Sequence, residues 1–226
     1  MKISRPLLLV IAFMFGLLGG CRQEKERTPA QPAETAPALT IVAVGDSLTA
    51  GYGVEEGEAY PALVEKALRA EGIEARVINA GVSGETTSGT LARLDWVLTL
   101  APDIVILETG ANDGLRGLDT AMVRDNLRRI VDILQGKDIV VVLAGMKMVW
   151  NLGPAYTGEF NRIYPDLAAE KKLIFMPFFL EGVATDPALN IADGLHPNPA
   201  GYRVIAGNIL PFVKEAIAVA DSKASR

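Results

Sequence analysis

The sequence predicts a doubly wound α/β domain on a five-stranded parallel sheet, and three observations predict it. Short runs rich in Val, Ile and Leu recur along the chain and are apolar on both faces, as strands covered on both sides must be. Stretches with one apolar face at helical spacing alternate with them. Gly, Pro, Asn and Asp mark the junctions.

The elements follow in order. "LTIVAVG" (39–45) is a continuous apolar strand ending in glycine. "EAYPALVEKALRAEG" (58–72) sets Tyr60, Leu63, Val64, Ala67 and Leu68 on one helical face, with Gly72 as a stop. "EARVINAG" (74–81) is the next strand, and "SGTLARLDWVLTLAP" (88–102) a helix closed by proline. "PDIVILETG" (102–110) and "KDIVVVLAG" (137–145) are fully apolar strands separated by a helix over about 119–135. "KLIFMPF" (172–178) is the fifth strand, and "NPAGYRVIAGNILPFVKEAIAVA" (198–220) the closing helix. The stretch 145–160 reads as a loop leaving the fourth strand. No internal repeat is visible.

Three segments precede and bound this domain. Residues 1–20 carry Lys2 and Arg5 ahead of an apolar run from Leu7 to Leu18, shorter than the about 20 residues that span a bilayer. The pattern is that of an export signal, and its end, "LGGC", resembles the bacterial lipobox. Cleavage there would leave Cys21 lipid-modified at the new N-terminus; the plainer alternative is an ordinary signal with an incidental cysteine. Cys21 is the chain's only cysteine, so no intramolecular disulfide can form. Residues 21–38 are rich in proline and charge and read as a disordered tether. Residues 39–220 form one domain of ordinary size, with a short disordered tail at 221–226.

The whole chain holds 22 basic and 27 acidic residues, a balance that gives no support to nucleic-acid binding. Half its residues are hydrophobic, enough for a full core. Nothing in the pattern requires an obligate protein partner.

In a doubly wound domain the functional loops gather at the carboxyl ends of the strands. The first strand ends "VGDSLTAGYG", where a sharp turn can expose the hydroxyl of Ser47. This is neither the G-x-S-x-G elbow, since position 49 is threonine, nor a Walker loop, since no G-K-[ST] follows. It also lacks the G-x-G-x-x-G of a dinucleotide binder. The second strand ends "NAGVSGETTSG", where the N–H of Gly84 can help hold an oxyanion. The third ends "ETGANDGLRG", where the side-chain amide of Asn112 is a neutral donor for developing negative charge. Near the C-terminus, "IADGLHPNPAG" holds the only histidine. His196 is the one residue type whose ordinary pKa suits a general base at neutral pH, and Asp193, three residues earlier across a turn, can orient it.

Each signal has a plainer reading: a capping serine, two ordinary turns, an exposed histidine. Together, and in this order, they supply a nucleophile, its base, the base's orienter and an oxyanion hole.

At these residues the chain resembles the SGNH, or GDSL, hydrolases: "GDSLTAGYG", the Gly84 region, "GAND" and "DGLHPN" match the family's successive blocks over residues 40–215. "ARL", "GANDGLRG", "IYPDLA" and "PFFLEGV" are similar to the bacterial periplasmic group of acyl thioesterases, lysophospholipases and arylesterases. The resemblance implies a flavodoxin-like five-stranded sheet between helices and a Ser47–His196–Asp193 triad. It also implies an oxyanion hole of the Ser47 and Gly84 N–H groups with the Asn112 side chain. No metal or organic cofactor is implied. The expected activity is hydrolysis of acyl esters, thioesters, aryl esters and lysophospholipids through an acyl-enzyme. Leu115, Leu118, Met146, Met148 and Trp150 could line an acyl groove or simply pack on the core. A carbohydrate O-acetyl esterase would instead want a small pocket with a polar rim. A non-catalytic lipid-binding lipoprotein would lack a triad member, and none is missing. Arg22 after Cys21, in place of aspartate, resembles an outer-membrane sorting signal, so the expected location is a periplasm-facing lipoprotein, with soluble periplasmic protein as the alternative.

Overall fold

A strand without a polar face is stable only where both faces are covered, and the chain folds to meet that demand. The computed structural model describes residues 39–148 and 152–224. Five strands, β1 (Leu39–Gly45), β2 (Ala75–Gly81), β3 (Ile104–Glu108), β4 (Val140–Ala144) and β5 (Ile174–Met176), pair in parallel in the order β2-β1-β3-β4-β5. This is the doubly wound, flavodoxin-like sheet expected from the sequence. β3 and β4 are buried along their whole length, which is why they read as unbroken apolar runs. β2 lies at an edge and turns Arg76 outward between buried Ala75 and Val77.

Helices cover both faces. α2 (Tyr60–Ala70) and α8 (Pro199–Ala224) pack on each other, α2 against β2 and α8 against β3, β4 and β5. On the other face α6 (Thr120–Gln135) lies between α3 (Thr87–Ala92) and α7 (Pro154–Lys171). α6 shows how its sequence encodes the contact. Asp119 caps its first turn by accepting from the N–H groups of Ala121 and Met122, at 2.7 and 3.3 Å. Val123, Leu127, Ile130, Val131 and Leu134 then fall on one stripe and are buried.

Strand register positions the site. Gly45, at the end of β1, aligns with Gly81 at the end of β2 and with Glu108 at the end of β3. Three loops therefore leave the sheet at one level. β1 and β3 are neighbours whose connections depart to opposite sides, so a crevice opens between their carboxyl ends.

Three expectations need correction. The single helix over 88–102 is two, α3 and α4 (Leu94–Thr99), because Arg93 between them leaves helical geometry (φ −103°, ψ 9°). Its guanidinium is drawn to the loop after β2, as described below. The loop over 145–160 ends early, since α7 begins at Pro154. Gly153 and two prolines disguised this helix, yet Thr157, Phe160, Ile163, Tyr164, Leu167 and Ala168 are buried at helical spacing. Pro154 occupies the first turn, where a missing N–H costs nothing. Finally, the domain does not stop at 220: α8 runs to Ala224, and Lys223 Nζ donates to the carbonyl of Asp138 at 3.0 Å. The signal, Cys21, the tether and residues 225–226 lie outside the described residues.

Candidate active site

The site begins with how β1 ends. Asp46 leaves the strand in a non-helical conformation, and its Oδ1 accepts from the N–H of Leu48 at 3.0 Å, capping the short helix α1 (Ser47–Ala50). Ser47, half-buried, thus sits at the first position of this helix. Gly45 is required here because a Cβ would lie 2.1 Å from Thr49 Oγ1 and 2.5 Å from Glu108 Oε2.

His196 reaches Ser47 from a loop that is closed on itself. Asn190 and Pro197 form an isolated bridge, and the N–H of Ile191 donates to the carbonyl of His196 at 2.8 Å. Gly194 turns the chain at φ +71°. Asp193 Oδ1 accepts from the N–H groups of Leu195 and His196 at 2.9 and 3.0 Å. Its Oδ2 lies 2.6 Å from His196 Nδ1, and His196 Nε2 lies 2.8 Å from Ser47 Oγ. The His196 backbone N–H, then its imidazole, hold the Asp193 carboxyl down to about 2. Asp193 is therefore an ionised acceptor across the working range. That assigns the Nδ1 proton to the Asp193 side and leaves Nε2 to accept from the serine hydroxyl. The Tyr52 ring lies 4.7 Å from the imidazole, centroid to centroid.

The segment after β3 opens onto the same crevice, and the turn after β2 is tied to that segment. Gly84 sits in the turn after β2 at φ +80°, and Arg116 Nη2 donates to its carbonyl at 2.9 Å. Asn112 lies in α5 (Ala111–Leu115), and its Nδ2 donates to Asp46 Oδ2 at 3.1 Å. Nδ2 carries a second hydrogen, which that bond leaves available. The loops are locked together from behind. Asp113 Oδ2 accepts from the Thr87 N–H at 2.9 Å and its Oδ1 from the Thr87 hydroxyl at 2.6 Å. Arg93 makes a two-pronged pair with Glu85, both contacts 2.7 Å, and donates to the carbonyl of Ala80 at 2.7 Å.

Beside Ser47 and His196 opens a groove of about 340 Å³ with a largely apolar wall. A second recess of about 480 Å³ lies by the amino ends of β4 and β5, lined by Lys172, Glu215 and Lys223 among others, and holds none of the motif residues.

Residues 43–204 match the model of the GDSL-like lipase/acylhydrolase family. The chain belongs to this family. The esterase TesA of Pseudomonas aeruginosa is 38% identical over 182 residues, covering 80% of this chain and 90% of that protein. An arylesterase of Vibrio mimicus is 40% identical over 167 residues, 74% and 84% of the two chains. Thioesterase 1/protease 1/lysophospholipase L1 of Escherichia coli is 37% identical over 172 residues, 76% and 81%. A crystal structure of TesA matches with a TM-score of 0.75 at 38% identity, covering 78% of this chain and 99% of that one. As a GDSL hydrolase, the chain is a serine esterase.

Within this GDSL fold, Ser47, Asn112, His196 and Asp193 stand together, and the turn of Gly84 joins them through Arg116 and Asp113. Leu115, Met146 and Met148 line this groove, Met146 while packed into the core. Leu118 does not: its backbone carbonyl accepts from Tyr156 Oη at 2.8 Å, and its side chain is absent from the groove wall. Trp150 lies outside the described residues. Sequence reasoning missed Leu48, which joins the wall from α1, and Phe178, Leu180 and Leu195, which join it from the segment after β5. It also missed Asp46, Thr49, Arg93 and Asp113. Their signal was adjacency: each lies within or beside a motif already singled out.

Proposed function

We propose that this esterase uses Ser47 as nucleophile, His196 as general base and Asp193 as its orienter to hydrolyse acyl esters and thioesters, aryl esters and lysophospholipids. The observation that carries the reading is the unbroken pair of contacts, 2.6 Å from Asp193 to His196 and 2.8 Å from His196 to Ser47, opening onto an apolar groove. His196 takes the Ser47 proton as Oγ attacks the carbonyl carbon. The resulting oxyanion is held by the N–H groups of Ser47 and Gly84 and the free N–H of Asn112. His196 returns the proton to the leaving group, and water then repeats the sequence on the acyl-enzyme to release the acid.

The flexible thioethers of Met146 and Met148 support acceptance of several acyl shapes. "LGGC" and Arg22 support an exported protein lipidated at Cys21 and held at a membrane, the outer one in preference, facing the periplasm.

The test is hydrolysis of p-nitrophenyl esters from acetyl to palmitoyl by the chain from Cys21 onward, beside S47A and H196A. Activity peaking at medium or long acyl chains and lost by at least about 10³-fold in both variants is expected. Activity confined to acetyl would move the substrate toward acetylated sugars, and activity surviving S47A would overturn the site assignment.

A further inference from the structure

At the turn that presents Ser47, two residues with carboxyl groups are wholly buried at the paired ends of β1 and β3: Asp46 and Glu108. Glu108 is the last residue of β3, and its Oε2 accepts from Thr49 Oγ1 at 2.8 Å. Thr49 is itself buried and shares its hydroxyl with Tyr60 Oη at 3.3 Å. The Glu108 carboxyl is pressed so closely on Gly45 that no side chain fits there. Its second oxygen, Oε1, has no partner among the described residues, nor has Tyr202 Oη, also buried and within its electrostatic reach.

We propose that Glu108 is a positioning residue of the reaction: its carboxylic acid, wedged under the nucleophile turn, anchors Thr49 and leaves Asp46 as the carboxylate that orients the Asn112 amide. The proposal rests on the site assignment above, in which Ser47 attacks and Asn112 binds the oxyanion.

Two wholly buried carboxyl groups at paired strand ends, with no cation facing them, do not readily ionise together. The titratable or charged groups facing Glu108 are Asp46 from the end of β1, Tyr60 from α2, Tyr164 from α7 and Tyr202 from α8, and none is a cation. Arg93, whose Nη2 approaches the Gly45 carbonyl at 3.5 Å, is spoken for by Glu85. His196 and Asp113 act on Asp46. Glu108 also accepts from the Thr49 hydroxyl and from the Asp46 and Thr49 N–H groups, but burial outweighs them, so the single charge belongs on Asp46, which accepts from the Leu48 N–H and the Asn112 amide. Burial pushes the Asp46 carboxyl up to about 6, so it is ionised at neutral pH. Burial first, then the Asp46 charge, push Glu108 well above the ordinary carboxylate range.

A neutral Glu108 has a consequence in pH. Its folded-state pKa is raised, so the fold favours the protonated form, and that advantage is lost as pH rises through the folded pKa. Ionisation then sets a second charge against Asp46 and disturbs the Asn112 contact, so kcat falls on the alkaline side.

The experiment is the pH profile of kcat and KM on a p-nitrophenyl ester for wild type, E108Q, E108A and S47A. Glutamine keeps the shape and neutrality of the acid. We expect E108Q to fold, to keep kcat within about threefold at neutral pH, and to lack the wild-type alkaline limb. E108A should lose about 10²-fold in kcat with KM within about twofold, as expected when a reacting group is misplaced rather than a substrate contact removed. The proposal is overturned if E108Q fails to fold or loses as much kcat as E108A, if its alkaline limb matches wild type, or if E108A is as active as wild type. Activity persisting in S47A overturns the site assignment first, and the positioning role with it.

Discussion

Asp193 is held at about 2 by backbone and imidazole donors although its side chain is 36% exposed, so orientation, not burial, sets its charge. Its folded pKa is depressed. Its contribution to stability is therefore present above the ordinary carboxylate pKa and lost only as pH falls through about 2. No acid loss of activity near pH 5 to 7 can be assigned to it. Asp193→Asn presents an N–H to Nδ1, which turns the imidazole to the wrong tautomer for accepting the Ser47 proton. A fall in kcat of about 10³-fold or more, with little change in KM, is expected in steady-state assays. An equal rise in KM would point instead to a binding role.

Elements carry the site by what they tie together. The turn after β2 holds Gly84 in place through Glu85, whose side chain is 7% exposed and grips Arg93 at the break between α3 and α4. Glu85→Ala leaves a largely buried guanidinium short of its partner, and a loss of about 2–4 kcal/mol is expected by urea denaturation. The α6 stripe offers a control away from the chemistry. Leu127 is wholly buried, so Leu127→Ala should cost about 2–5 kcal/mol while leaving kcat and KM unchanged under native conditions. A change in kcat from that substitution would mean that α6 transmits strain to the crevice.

For the molecule as a whole, the crevice between β1 and β3 follows from strand order, and the proposed membrane attachment rests on Cys21. Among the described residues no helix is long and apolar enough to cross a membrane. If Cys21 carries the anchor, Cys21→Ser should move the protein from the membrane fraction to the soluble fraction of a cell lysate while ester hydrolysis persists. Retention of the variant at the membrane would remove the lipid from the account.

What the sequence determined by itself was local. Runs apolar on both faces could only be covered parallel strands, and glycines and Asx residues after them marked the loops. The Asp193–His196 pair was legible because both residues lie on one turn, whereas the meeting of His196 with Ser47 spans 149 positions. Tertiary structure decided what depends on register. Glu108 meets Thr49 across 59 positions because β1 and β3 align at Gly45, and Asn112 meets Asp46 across 66 by the same alignment. The groove wall likewise draws Leu48, Met146 and Phe178 from three separate strand ends. Periodicity records which face of an element is buried, and it is silent on which distant side chain will share that burial.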